Sequence, residues 1–280
     1  MGDRPVARYR IRSVTTVTDR ERSDEVATEE PLEIRITSGS ERRTLAITMR
    51  TPGSDFELAA GFLNGEGVTG IEAIAYCTDE DVPPEARFNT VTVRLRGPLP
   101  DLPGLDRYFV TSSACGVCGA ASLDALRDKC VPLVSDHLEI TADTLRGLPA
   151  KLHAAQGVFG RTGGLHAAGL FTAEGELIKL REDVGRHNAV DKVVGWSLLN
   201  DAPRPVLLVS GRASYEIMQK ALAAGISVVA AVSAPSSLAV DVAREFGMTL
   251  VGFLREERFN VYAGSARVLQ AGGDAVDAEQ

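Results

Sequence analysis

The order of apolar and polar positions splits the chain into a strand-rich first half and a second half in which helices alternate with apolar strands. Between residues 32 and 109 the segments TLAITMR (44–50), FNTVTVRLRG (88–97) and RYFVTSS (107–113) favour β-branched and aromatic residues, which predicts strands. One helix interrupts them. It starts at Ser54 or Asp55, where a capping side chain follows Pro52 and Gly53, and FELAAGFL then sets Phe56, Leu58, Ala59, Phe62 and Leu63 on one side. Together these elements predict a small α+β domain over residues 31–112.

Further on, SLDALRDK (122–129) and TADTLRGLPAKLHAAQ (141–156) have helical spacing, with Pro149 expected to kink or divide the second. The run LHAAGLFT, the turn AEGE and LIKLRE predict a hairpin, and a helix follows over about 188–199. Residues 205–256 are the most regular part: a buried strand, a small-residue turn and a helix closed by Gly225, then the same unit again closed by Gly247, then a third strand. Strands without alternation, each leading into a helix, predict a parallel sheet covered on both faces, in a three-layer α/β/α domain over residues 123–270. The polar first 30 residues are expected to be a flexible segment with at most a weak strand between residues 9 and 17, and the tail 271–280 to be disordered.

Composition narrows the function classes. Of 280 residues 44% are hydrophobic and 24% charged, and 30 basic against 38 acidic side chains give a net charge of −8. That balance points away from a general nucleic-acid or membrane binder. The N-terminus builds no signal-peptide run and no segment approaches a membrane span, so the expected location is the cytoplasm.

In that reducing setting a close cysteine pair is more often catalytic or metal-binding than structural. Cys115 and Cys118 lie three apart in TSSACGVCGAAS (111–122), among residues too small to enclose them. The segment 113–122 reads as a mobile CxxC loop. A helix starting near residues 119–122 would lower a thiol pKa through its free N–H groups, and two such thiols could relay a sulfur atom or expel it by forming a disulfide. Other readings stay open. Cys130 and His137 could complete a zinc site, although the spacing is unusual. His137 and Glu139 fall after the cysteines and Ala114 stands where a zinc deaminase needs proline. A thioredoxin-like plan does not suit the large downstream sheet, and two inert small residues remain the plainest option.

The motifs SSACGVCG, GRTGGLHAAGL, REDVGRHNAVDKVVG, SGRASYEIMQKA, VSAPSSLAVDVA and RFNVYAG, in that order, resemble the formate dehydrogenase accessory sulfurtransferase family, FdhD/NarQ, from about Glu33 to Leu269. The resemblance implies a sulfur carrier that accepts sulfur from a cysteine desulfurase as a persulfide and passes it to the molybdenum cofactor, a molybdopterin guanine dinucleotide, before insertion into formate dehydrogenase. It implies that Cys115 holds the persulfide and Cys118 assists, that the larger domain has the cytidine deaminase fold without zinc or any structural metal, and that the protein is a homodimer. A cofactor-binding chaperone for formate dehydrogenase maturation is the alternative.

By the same resemblance Phe259, Asn260, Val261, Tyr262, Ala263 and Gly264 match the cofactor-binding segment. Their chemistry suits that role: aromatic faces to stack, an amide for base edges, and a glycine for close approach. The plainer alternative is a strand with two core aromatics. The turns SGRAS, with Arg212, and SAPSS could face a phosphate, though ordinary capping also explains them. Arg186, His187 and Asn188 suit either cofactor contacts or a capping cluster. His153 and His166 stand alone in sequence, where a structural role is the commoner one.

Overall fold

The computed structural model describes residues 4–79, 83–100 and 138–270 and, between them, Leu123, Leu126 and Arg127. The chain is mixed α/β. The first ordered elements lie where only a weak strand was expected: β1 (Val6–Val14) and β2 (Asp19–Ala27) pair antiparallel along their whole length. The sequence hides this ribbon because charges, Arg8 opposite Glu25 and Arg12 diagonal to Asp19, join its strands where an apolar face would give a hydrophobic period.

The small unit is a four-stranded sheet in the order β4-β3-β6-β5, formed by β3 (Glu30–Ser38), β4 (Glu41–Arg50), β5 (Ile71–Tyr76) and β6 (Thr90–Leu95). Its core joins Leu32, Ile34, Val91 and Val93 to Leu58 and Leu63 of helix α1 (Asp55–Gly65). Ser54 sits at the N-cap position but in a left-handed conformation, φ 59°, and its side chain caps nothing. Asp55 is drawn away to Arg50, whose buried guanidinium meets both its carboxylate oxygens at 3.0 Å.

A short turn of helix, α2 (Pro84–Arg87), leads into β6. The larger unit has a six-stranded sheet in the order β13-β12-β11-β10-β8-β9. Only β10 (Val206–Val209), β11 (Val228–Ala231) and β12 (Thr249–Gly252) run parallel. β8 (His166–Phe171) and β9 (Leu177–Asp183) form the expected hairpin, and β8 lies antiparallel to β10. β13 (Asn260–Ala263) is antiparallel to β12, because the short link between them leaves no room for a crossover.

Both faces of this sheet are covered, which is why its strands read as unbroken apolar runs. Leu207, Val209 and Ala231 pack toward α5 (Arg186–Leu199), α6 (Tyr215–Ala223) and α7 (Ser237–Glu245); Val206, Leu208 and Ala230 pack toward α3 (Ala142–Ala155). Leu126 joins the first of these cores and Arg127 pairs with Glu245, so the described part of segment 122–129 rests on α7. Helices α6 and α7 are followed by Gly225 and Gly247 at φ 72° and 68°, the left-handed stop their sequences call for. Pro149 does not divide α3, which continues to Ala155. A single turn, α4 (Phe159–Thr162), and the small pair β7 (Ile140–Thr141) and β14 (Val268–Leu269) complete the unit. Among the described residues no helix is long and apolar enough to cross a membrane.

The two units meet where α1 crosses α5 with no side chain between the backbones. A Cβ on Gly61 would stand 1.9 Å from the Asp191 carbonyl oxygen, and one on Gly195 would stand 1.8 Å from that of Glu57. Alanine in a free helix gains about 1 kcal/mol over glycine. At Gly61 the sign should reverse: Gly61→Ala is expected to lower stability by roughly 2 kcal/mol or more, because a contact between backbones cannot relax by rotamer change. Urea denaturation measures it, and an unchanged or higher midpoint would contradict this crossing.

The ribbon β1–β2 is held to α4 by Arg161, whose guanidinium meets both oxygens of Glu25 at 2.8 and 2.9 Å. Hydrogen bonds from Arg161 and then Arg8 lower the Glu25 carboxyl from 4.5 to about 2. A depressed carboxyl stabilises docking above pH 4.5, and that contribution fades as pH falls toward 2. Amide exchange in residues 6–27 should therefore accelerate, beyond its intrinsic pH dependence, on acidification through that window, and more so in high salt.

Candidate functional site

Cys115 and Cys118, and likewise Cys130 and His137, lie outside the described residues. The other candidates gather along the C-terminal ends of the parallel strands, where a doubly covered sheet leaves its loops free for chemistry. After β10 and β11 the turns SGRAS and SAPSS are joined to each other: Ser233 N–H donates to the Gly211 carbonyl at 3.3 Å and Ser236 N–H to that of Ala213 at 2.9 Å. The two serines that precede the helices differ. Ser236 Oγ caps α7 by accepting from Ala239 N–H at 3.2 Å, as ordinary capping predicts. Ser214 makes no such bond. Its hydroxyl instead lies 3.2 Å from His187 Nε2.

That imidazole also meets Glu216 Oε2 at 2.8 Å, and the hydrogen bond holds the Glu216 carboxyl below its usual range. Arg186, next in line, passes its Cδ beside Gly211, and its buried Nε has no hydrogen-bond partner among the described residues. The His166 ring also lies beside Gly211, and burial, then the nearby charges of Arg186 and His187, push its pKa down. Arg212 is exposed.

Asn188 does not cap α5. Its amide donates to the Met49 carbonyl at 2.8 Å and to Asp183 Oδ1 at 3.1 Å, so it ties the small unit to the large one. Asp183 takes over the start of the helix, accepting from Gly185 N–H at 2.8 Å. Its second oxygen lies 2.7 Å from Lys192 Nζ, and both side chains are almost wholly buried. Lys192 also donates to the Thr51 carbonyl at 2.8 Å, while Thr51 N–H donates to Asp183 at 3.1 Å. This buried pair anchors the stretch that presents Arg186 and His187. Sequence reading missed it, because Asp183 and Lys192 look like ordinary surface charges in REDVGRHNAVDK.

Residues 259–264 form the outer edge of the sheet. Phe259 packs partly buried on the core beneath α3 and Tyr262 on the opposite core. Asn260 and Val261 are exposed, and Gly264 turns the chain at φ 66°. The Tyr262 ring lies against Gly252, where a Cβ would come within 2.9 Å of it and within 2.8 Å of Pro235. At Gly252 this strand and the SAPSS turn converge, and through Gly211 the paired turns reach Arg186 and His166. Segments widely separated in sequence thus form one continuous belt.

Behind the belt lies a cavity of about 540 Å³ between α3, α4 and the ends of β8, β10 and β11. Apolar walls come from Pro149, Leu152, Phe159, Leu165 and Val232, and polar groups from His153, Gln156, His166 and Ser210. Gly163 and Gly164, from GRTGG, lie at its rim. Apolar walls with a few polar groups are the usual make-up of a small-molecule site. Both histidines that looked solitary in sequence line this space.

The chain is thus a mixed α/β protein whose paired strand–helix turns adjoin a cavity, and comparison with known proteins narrows its class. The FdhD/NarQ family model matches residues 27–269, and the chain belongs to that family. It is 53% identical over 276 residues to a protein of Streptomyces avermitilis named sulfur carrier protein FdhD, covering 95% of this chain and 94% of that one. Proteins of the same name from Mycobacterium tuberculosis, 46% identical with 94% and 98% covered, and from Sulfurisphaera tokodaii, 44% identical with 94% and 99% covered, are also similar. These names support a sulfur-carrier role. A crystal structure from Desulfotalea psychrophila, described as a formate dehydrogenase accessory protein, superposes with a TM-score of 0.73 at 25% identity over 95% of this chain and 100% of that one.

Lys192→Met leaves the Asp183 carboxylate buried without its cation, which is expected to cost about 3–5 kcal/mol. Pairing it with Asp183→Asn should restore part of that loss. Chemical denaturation of both variants checks the anchor, and equal losses would show that the pair is not coupled.

Proposed function

We propose that the protein carries sulfur to the molybdenum cofactor in the maturation of formate dehydrogenase. A cysteine desulfurase presents the sulfur as its own persulfide. The Cys115 thiolate attacks the outer sulfur, the bond to the desulfurase cysteine breaks, and the electron pair leaves with that thiolate; Cys115 is left as a persulfide with no net oxidation. Cys118 assists the onward transfer. The acceptor is a molybdopterin guanine dinucleotide, held in part by residues 259–264. Membership of a family whose relatives are named sulfur carriers carries this reading, and the Gly/Ala/Ser-rich sequence around the cysteine pair supports it. The same proposal takes the protein as a cytoplasmic homodimer whose larger unit has the cytidine deaminase fold.

The alternative, a chaperone that escorts the cofactor without touching its sulfur, is separated by one measurement. After reaction with a desulfurase and cysteine, intact-mass analysis of alkylated protein should show one added sulfur on the parent and none on Cys115→Ala. A Cys115→Ala variant that gains the sulfur like the parent removes Cys115 from the role. A Cys115→Ala, Cys118→Ala double variant that still restores formate dehydrogenase activity favours the chaperone.

A further inference from the structure

Just beyond the end of β12 stands a side chain that neither the backbone nor the core requires. Phe253 has φ 52°, in the left-handed region that a bulky L residue rarely adopts. Its neighbours fix the turn. Phe253 N–H donates to the Ser233 carbonyl and Leu254 N–H to that of Ala231, both at 3.1 Å, and the Leu254 side chain is wholly buried. Glycine or asparagine at 253 would keep those backbone bonds, because both enter the left-handed region with least strain. The Phe253 ring is meanwhile 42% exposed. Among the described residues it packs against none of the three cores and stacks on no other ring.

Backbone strain and an exposed aromatic thus fall on one residue with no folding gain to offset them, and outliers of this kind cluster at functional sites. The surroundings point to a protein as the partner. Phe253 does not line the cavity behind the belt. The exposed run that follows, Arg255, Glu256, Glu257 and Arg258, carries two charges of each sign, so this corner has no net field to draw a polyanion or an anionic lipid surface. An aromatic anchor within a rim of mixed polar groups is the usual make-up of a protein contact. Val261, also exposed, adds apolar surface on the adjoining strand, where Val251 pairs with Val261 and Gly252 with Asn260. Phe253 therefore leaves the sheet one residue past the strand pair that carries segment 259–264, and a protein taking cargo from that segment must approach this corner.

We propose that Phe253 is the anchor by which the recipient enzyme docks on this chain, its ring entering an apolar pocket of that enzyme while residues 255–258 form the polar rim. The identity of the partner rests on the proposed function; the place of the contact rests on the conformation and exposure of Phe253.

The test uses the full chain and the cofactor-free formate dehydrogenase whose activity it restores, with binding followed by biolayer interferometry. The parent is expected to bind. Phe253→Asn, which suits a left-handed backbone, should melt at or above the parent temperature and yet weaken binding by about tenfold or more. Phe253→Tyr, which keeps the ring, should bind like the parent. A Phe253→Asn variant that binds as tightly as the parent, or that melts below it, overturns the inference, as does a parent that does not bind. Light scattering and desulfurase binding on the same preparations cover the other occupants. Loss of self-association or of desulfurase contact, with recipient binding intact, gives the corner to a second copy or to the donor and likewise overturns the inference. Sulfur loading of Cys115 separates the two readings: loading without recipient binding sinks this surface alone, whereas binding through Phe253 without loading upholds the surface and sinks the sulfur-carrier reading.

Discussion

Two helix backbones touching at Gly61 and Gly195 set the geometry on which the other features depend. Because no side chain separates α1 from α5, the polar groups flanking the crossing come within reach of each other across the two units. Arg181 on β9 forks onto Glu57 of α1 at 2.5 and 2.6 Å across the units, and within the larger unit Lys220 on α6 meets Asp191 of α5 at 2.8 Å beside the crossing. A larger residue at either glycine would part the helices and open these pairs to water, where an ion pair is worth little.

The crossing also explains how a charged stretch is placed at the end of the sheet. Asp183 and Lys192 lie in the seam between the units and are tied to both faces of Thr51. Burying two charges is costly unless their geometry is good and their remaining hydrogen bonds are met, and here each has a further partner. With this anchor fixed, Arg186 and His187 extend over Gly211 toward the paired turns. The seam is thus what brings residues from β9, α5 and the strand–helix turns to one place.

Much of the fold was legible in the sequence, for reasons that are local. The runs VLLV and VVAA are apolar at every position because both sheet faces are covered, and Gly225 and Gly247 end their helices because only glycine takes that turn freely. The N-terminal ribbon was not legible, since its cross-strand ion pairs leave no hydrophobic period. Nor was the part played by Ser214, which has the composition of a helix cap but turns to His187.

The sequence by itself determined the family, through ordered motifs from 27 to 269, and the chemistry available at each motif. Local spacing and side-chain type suffice for that. The tertiary structure alone decided which motifs meet: that Tyr262 and Pro235 both close on Gly252, and that the lone His153 and His166 share a cavity. These are facts of chain crossing and burial, and no window along a sequence records the distance between residues a hundred positions apart.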